Sequence, residues 1–167
     1  MKFDPVARNA LAARFKSRLQ TDQLTLRENY FADQDPPHLL KERSQLIDGV
    51  MRDLWTELGL PSSLALVAVG GYGREELWPS SDVDLLLLLP EAPDSALIES
   101  LEQLIGLFWD IGLEIGHSVR TIQDCLTEAA GDLTVQTALV EARLLIGNAD
   151  LFSEFSAKFR KALDPQA

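Results

Sequence analysis

The sequence predicts an α/β fold, in the wide sense that includes α+β, with helices packed around a small mixed sheet. Two short apolar runs, 64–69 (LALVAV) and 83–89 (VDLLLLL), are each flanked by turn residues and are typical of buried strands. Two longer segments, 38–58 and 95–111, repeat apolar residues at helical spacing. Because strand-like and helix-like segments alternate along the chain, we expect one sheet covered by helices.

The first part of the chain is predicted to be helical. Residues 5–20 place apolar side chains near one face, and a polar stretch then leads to Pro36 and Pro37, where a helix is expected to stop and another to start. The stripe over 38–58 ends at Gly59, which is a common residue just after a helix. We therefore predict two helices before the first strand.

The second part is predicted to contain a third strand and more helices. Ser95 is expected to cap the helix over 95–111, and residues 113–119 alternate enough to form a strand. Thr121 and Asp124 have the spacing of a capping box, which opens a short helix. Two further helices are predicted, over about 133–145 and 149–163.

Composition limits the classes of function. The 167 residues suffice for one domain with a core, and the net charge of −11 without a run of Lys or Arg disfavours a nucleic-acid partner. The longest apolar run is too short to cross a membrane, so no membrane partner is expected. Cys125 is the single cysteine, which excludes an internal disulfide and fits the cytoplasm. We interpret it as a partly buried thiol on a helix, not as a nucleophile.

Acidic residues stand at the start of the second predicted strand. About a dozen residues separate the two strands, too few for a parallel crossover, so the pair is predicted to be antiparallel. That pairing brings Gly70 and Gly71 beside Asp82 and Asp84, whose carboxylates project from one face of a strand. Like charges so close favour a bound cation, and carboxylate oxygens suit Mg²⁺. Asp82 and Asp84 are therefore predicted metal ligands and catalytic residues.

The glycines and their neighbours predict a phosphate-binding loop. Gly70, Gly71 and Gly73 let the backbone approach a ligand closely and present N–H groups. A short helix is expected to begin near Arg74, and Arg74 and Ser81 are within reach of phosphate oxygens in this interpretation. A double glycine alone is most often just a turn. The prediction depends on the order and spacing of the whole set.

Glu114 is the predicted third carboxylate. It precedes Ile115 in the third strand, and alternation places it on one face and His117 on the other, where His117 is expected to pack beneath the sheet. Glu114 would complete a site for in-line displacement at phosphorus, as a second-metal ligand or as a base. The alternative is an exposed residue at the edge of the sheet.

These motifs resemble a known superfamily. Gly70-Gly71 followed by Asp82-x-Asp84 and then Glu114 is similar to the signature of the DNA polymerase β-like nucleotidyltransferases. The stretches AVGGYGREELWPSSDVDLLLL, FWDIGLEIGHSVRT and DLTVQTALVEARLLIGNADLF resemble the N-terminal nucleotidyltransferase domain of bacterial PII uridylyltransferase/uridylyl-removing enzymes. The resemblance covers about residues 24–159 and implies a sheet of the nucleotidyltransferase type.

The resemblance implies a function in nitrogen regulation. It implies Mg²⁺-dependent transfer of UMP from UTP to a tyrosine of the PII signal protein, with release of pyrophosphate. Two alternatives stay open at this point: a silent module that binds nucleotide or a partner, and an NMP transferase with another protein acceptor. Base preference follows from the resemblance alone.

The domain prediction is a helical extension over 1–35 and a nucleotidyltransferase domain with C-terminal helices over 36–167. We expect a fragment of a longer multidomain enzyme, because family members continue into HD-type phosphohydrolase and ACT domains. Neither His38 nor His117 is followed by Asp. Removal of UMP and sensing of glutamine are therefore not expected to reside in these residues.

Overall fold

The structure is a computed structural model and describes residues 4–166. Within this range, four strands form one mixed sheet in the order β3-β2-β1-β4 and seven helices accompany it along the chain, so the predicted fold class is confirmed. The elements in chain order are α1 (Pro5–Asp33), α2 (Pro36–Leu58), β1 (Ala65–Ala68), α3 (Gly70–Gly73), β2 (Val83–Leu89), α4 (Ser95–Asp110), β3 (Ile115–Thr121), α5 (Ile122–Gly131), α6 (Leu133–Val140), β4 (Arg143–Gly147) and α7 (Ala149–Leu163).

The chain forms two compact units. The first comprises residues 1–58, 75–83 and 93–116, and the second comprises 59–74, 84–92 and 117–167. The first unit is helical, with α1, α2 and α4, and the second holds most of the sheet with α3, α5, α6 and α7. The predicted boundary between residues 35 and 36 cuts the chain once, whereas each of these units contains several segments. That boundary stays a prediction.

Helix α1 of the first unit is longer than predicted. It runs from Pro5 to Asp33 and not to residue 20, because the polar stretch after residue 20 contains no Pro or Gly to end it. The helix stops at Gln34, whose backbone is left-handed (φ 51°) and whose N–H donates to the Tyr30 carbonyl at 2.7 Å. Its buried face carries Leu11, Phe15, Leu19 and Leu26.

The other helices of the first unit follow the prediction closely. Helix α2 starts at Pro36, the expected restart, and ends at Leu58, as expected. Helix α4 starts at Ser95, but the predicted cap was wrong by one residue. Asp94 is the N-cap, and its carboxylate accepts a hydrogen bond from the Leu97 N–H at 2.8 Å.

The second unit confirms the antiparallel pairing of the first two strands. Ala65 lies opposite Leu88, and Ala68 lies opposite Leu85. The predicted helix over 133–145 was wrong in its last part: α6 ends at Val140, and the chain then forms β4. Strand β4 pairs antiparallel with β1 on the side opposite β2, so long-range pairing overrides the local helical pattern.

Helices α5 and α7 pack with the strands in the second unit's core. The predicted capping box is confirmed, with the Asp124 N–H donating to the Thr121 hydroxyl at 3.1 Å and the Thr121 N–H donating to the Asp124 carboxylate at 3.0 Å. Phe155 and Phe159 of α7 stack with ring centroids 5.6 Å apart in a cluster with strand residues Val67 and Leu86. Between residues 4 and 166, no helix is both long and apolar enough to span a membrane.

Cys125 lies in this core, and its thiol is fully buried on α5. Burial raises the pKa of Cys125 to about 11 because the charged thiolate is poorly solvated there. We therefore expect the native protein at pH 8 to resist alkylation by iodoacetamide and the urea-unfolded protein to react at one site. Mass spectrometry counts the adducts, and rapid labelling of the native chain would contradict the inert interpretation.

Candidate functional site

The glycine turn of the second unit, residues 70–73, begins the connection between β1 and β2. Helix α3 is a single turn over Gly70–Gly73, directly after β1. The Val69 N–H donates to the Asp84 carbonyl at 3.1 Å, which extends the antiparallel pairing to the end of β1. The structure thus brings the end of β1, where the predicted glycines begin, beside Asp84.

Gly70 is the glycine nearest to the Asp84 carboxylate. A Cβ atom built on Gly70 would lie 3.5 Å from Asp84 Oδ2, and the Gly70 backbone is left-handed (φ 59°). A side chain at position 70 would be strained and would stand against that oxygen. The missing side chain therefore leaves room next to the half-buried Asp84.

The remaining glycines lie within the same turn. Gly71 is half-buried, and N–H groups in the first turn of a helix have no carbonyl partner four residues earlier. Gly73 lies against the segment after α6, where an added Cβ would stand 1.9 Å from the Glu141 carbonyl oxygen. Backbone packing thus requires glycine at position 73.

Arg143 is the residue that the sequence interpretation missed. It was assigned to a helix but lies on β4, where its guanidinium donates to the Tyr72 carbonyl at 3.0 Å and to the Gly73 carbonyl at 3.3 Å. The guanidinium carbon also lies 5.4 Å from the centre of the Tyr72 ring. These contacts fix the end of the glycine turn. The apolar run Leu144–Ile146 closed by Gly147 was the available signal for a strand.

Arg74 is not at the start of a helix, so that prediction was wrong. It follows α3 as its C-cap, and its N–H donates to the Gly70 carbonyl at 3.1 Å. The glycines themselves form the helical turn because the Gly73 N–H already bonds the Val69 carbonyl. The Arg74 side chain is exposed.

Three predicted site residues belong to the first unit, and all three are exposed: Ser81, Asp82 and Glu114. The Ser81 N–H donates to the Trp78 carbonyl at 3.0 Å, which closes a turn before β2. The Val83 N–H donates to the Glu114 carbonyl at 2.8 Å, so the backbone of Glu114 lies beside the residue that follows Asp82. Glu114 thus precedes β3 and is not within it.

The expected burial of His117 below the sheet was wrong. His117 and Val119 are exposed, whereas Gly116, Ser118 and Arg120 are half-buried. Strand β3 is at the edge of the sheet, so its outer face lacks the cover that central strands receive. The two faces alternate as predicted, but the face that carries His117 is the exposed one.

The sequences of curated relatives match most of this chain. It is 48% identical over 157 residues to the bifunctional uridylyltransferase/uridylyl-removing enzyme of Nitrosospira multiformis, which covers 90% of this chain and 18% of that protein. The like-named enzyme of Cupriavidus metallidurans is 47% identical over 154 residues, with 92% and 18% covered. The chain is homologous to part of these enzymes. The predicted resemblance is thereby confirmed.

This chain spans less than a fifth of the length of the curated relatives named here. In the enzyme of Burkholderia orbicola, 129 residues are 54% identical, and they make up 77% of this chain and 15% of that protein. No protein-family profile matches the chain.

Solved structures align with this chain at low sequence identity. A toxin–antitoxin complex with AMP-PNP has a TM-score of 0.47 and 17% identity, covering 71% of this chain and 87% of that one. A tri-AMPylated HEPN toxin in complex with the MNT antitoxin from Shewanella oneidensis has a TM-score of 0.44 and 16% identity, with 73% and 87% covered.

In the described part of this chain, the acidic side chains do not form a metal-binding cluster of three. Among residues 4–166, no three or more His, Cys, Asp or Glu side chains are grouped in a way that could hold a metal ion. Asp84 is the carboxylate that the structure places next to the glycine turn, and Asp82 stands two residues before it in the sequence. Their oxygen chemistry fits Mg²⁺, which takes one or two protein carboxylates and completes its shell with phosphate and water.

Proposed function

We propose that this chain transfers UMP from UTP to a tyrosine of the PII signal protein and releases pyrophosphate. The homology to named uridylyltransferases supports the class of reaction. The observation that carries the proposal is the position of the Asp84 carboxylate against Gly70, because a carboxylate beside an open glycine turn suits a metal–triphosphate ligand. Ser81 and Arg74 are proposed contacts to phosphate oxygens.

The proposed reaction is an in-line displacement. The tyrosine oxygen bonds to the α-phosphorus of UTP, the bond from that phosphorus to the pyrophosphate oxygen breaks, and the phenolic proton leaves. Because a free phenol has a pKa of about 10, a base must accept that proton at neutral pH. Glu114 is the proposed base or second-metal ligand. Gly70, Gly71 and Gly73 would hold the triphosphate close to the backbone.

Mg²⁺ is the proposed cofactor, with Asp82 and Asp84 as its ligands. When bound, such an ion offsets the negative charge that develops on the leaving pyrophosphate. In this proposal, Asp84 would hold the ion beside the glycine turn, and Asp82, two residues earlier in the sequence, would supply the second carboxylate. Glu114 is proposed as a third ligand on sequence grounds.

The direct test is a transfer assay with the 167-residue chain, Mg²⁺, UTP labelled at the α-phosphate, and PII. Label on PII is expected, and none on a PII variant whose acceptor tyrosine is replaced by phenylalanine. Label from ATP or CTP at equal rate would favour an NMP transferase of different base preference. Saturable binding of UTP with no label on PII would favour the silent binding module.

Arg143 is a positioning residue in this proposal. We expect Arg143→Met to lower kcat/KM by about 100-fold through displacement of the turn, because a small misplacement can cost that much. Arg143→Lys should recover part of the loss, since one ammonium group can reach a carbonyl but cannot bridge two. Steady-state kinetics that separate kcat from KM, at equal folded fraction, provide the measurement.

The matched control is Arg160→Met on α7, an exposed arginine of the same unit. It removes the same charge without touching the turn and should leave the kinetics unchanged. Equal kinetics for Arg143→Met and Arg160→Met would remove Arg143 from the positioning role.

A further inference from the structure

A cavity in the first unit has an arginine in its wall. It lies between α1 and α2, has a volume of about 410 Å³, and is lined on its apolar side by Leu26, Leu39 and Pro79. Cavities of this size hold small organic molecules. All of its lining residues belong to the first unit, and none is among the site residues discussed above.

The Arg43 side chain lining this cavity has no anionic partner among residues 4–166. The residue is only 8% exposed, and its one hydrogen bond is a long one, from Nη2 to the Pro79 carbonyl at 3.4 Å. Its Nε is buried and makes no hydrogen bond to any residue in the described part of the chain. Burial lowers the pKa of Arg43 because the cation is poorly solvated there.

A buried guanidinium group without an anionic partner favours the binding of an anion. It carries five N–H donors, and a buried charge is unfavourable unless it is paired and hydrogen-bonded. Across residues 4–166 no carboxylate forms an ion pair with Arg43. An oxyanion in the cavity would accept hydrogen bonds from the guanidinium and offset its positive charge.

The rest of the lining selects the kind of anion. Arg27 adds a second cation at the exposed side, with its guanidinium carbon 5.5 Å from the centre of the Phe31 ring. The half-buried Tyr30 also lines the cavity and carries a hydroxyl group. A planar carboxylate matches the fork of a guanidinium, and the apolar walls suit a hydrocarbon body better than a fully charged phosphate.

We propose that this cavity binds a small organic carboxylate. Its carboxylate group accepts hydrogen bonds from the Arg43 guanidinium, and its apolar body lies against Leu26, Leu39 and Pro79. The site belongs to the first unit alone and does not depend on the proposed transfer of UMP.

Benzoate is the probe for the test, and benzamide is its neutral counterpart of nearly the same shape. In the ¹⁵N-labelled 167-residue protein, we expect benzoate to shift the Arg43 Nε–H resonance and saturate with a Kd of about 1 mM or tighter. Benzamide should give no saturating shift. Absence of a saturating shift with benzoate, or equal binding of benzamide, would overturn the proposal, and both readings use the unaltered protein.

Variants assign the binding to Arg43. Arg43→Met keeps the length of the side chain and removes the charge, and we expect it to weaken benzoate binding by about 10-fold or more. Lys41→Met removes an exposed charge from the same helix and should bind benzoate as the unaltered protein does. We also expect Arg43→Met to raise Tm, because it removes a buried charge that has no counterion. Benzoate binding to Arg43→Met with unchanged Kd would contradict the assignment.

Discussion

Replacement of Asp82 or Asp84 by asparagine is expected to lower the rate of UMP transfer by about 100-fold or more, because each change removes a charged oxygen ligand for a catalytic metal. Folding should survive, since asparagine has nearly the same shape. Tm should stay the same or rise, because two nearby carboxylates repel each other without a cation. Transfer of label to PII measures the rate, and circular dichroism measures Tm.

Asp150→Asn is the control for these variants, since it removes one exposed carboxylate from the first turn of α7 in the second unit. Its transfer rate should equal that of the unaltered chain. If Asp82→Asn or Asp84→Asn also retains most of its activity, the metal assignment fails.

Gly73→Ala is expected to lower the free energy of unfolding by about 3 kcal/mol, a large value for a change of one methyl group. The added Cβ would stand 1.9 Å from the Glu141 carbonyl oxygen, so one of two backbone segments has to move. If the added Cβ met a side chain, that side chain could change rotamer. The Glu141 carbonyl belongs to the backbone and cannot move in this way. Urea unfolding followed by circular dichroism provides the free energy.

Gly131→Ala is the matched variant for this measurement. Gly131 is the last residue of α5, and an added Cβ there has no atom within 4 Å. Alanine favours a helix more than glycine does, so stability should be unchanged or slightly higher. Equal urea midpoints for Gly73→Ala and Gly131→Ala would mean that the turn and the Glu141 backbone are not in close contact.

Local signals predicted the elements that depend on local chemistry. Strand β2 has the predicted bounds, and so does helix α7. The capping box at Thr121 needs only residues three apart, so the sequence suffices for it. Strand β4 was missed because its apolar run Leu144–Ile146 also fits the helical pattern before it, and pairing with the distant β1 decides in favour of a strand.

The candidate site divides in the same way. The antiparallel pairing followed from the short connection, and it correctly predicted that Gly70 lies beside Asp84. Arg143 could not be found by spacing, because 70 residues separate it from Gly73. His117 was placed wrongly because alternation states which residues share a face, but not which face is covered. The role of Glu114 stays a prediction.

The position of β4 in the sheet has a consequence for how the protein is made. Arg143 is 71 residues beyond Tyr72, so a growing chain has its glycine turn long before it has the guanidinium that fixes that turn. Pairing between segments so far apart closes a long loop and slows folding. We therefore expect the turn beside Asp84 to be among the last parts of the second unit to become protected from hydrogen exchange during refolding, after α5 and α7 have formed.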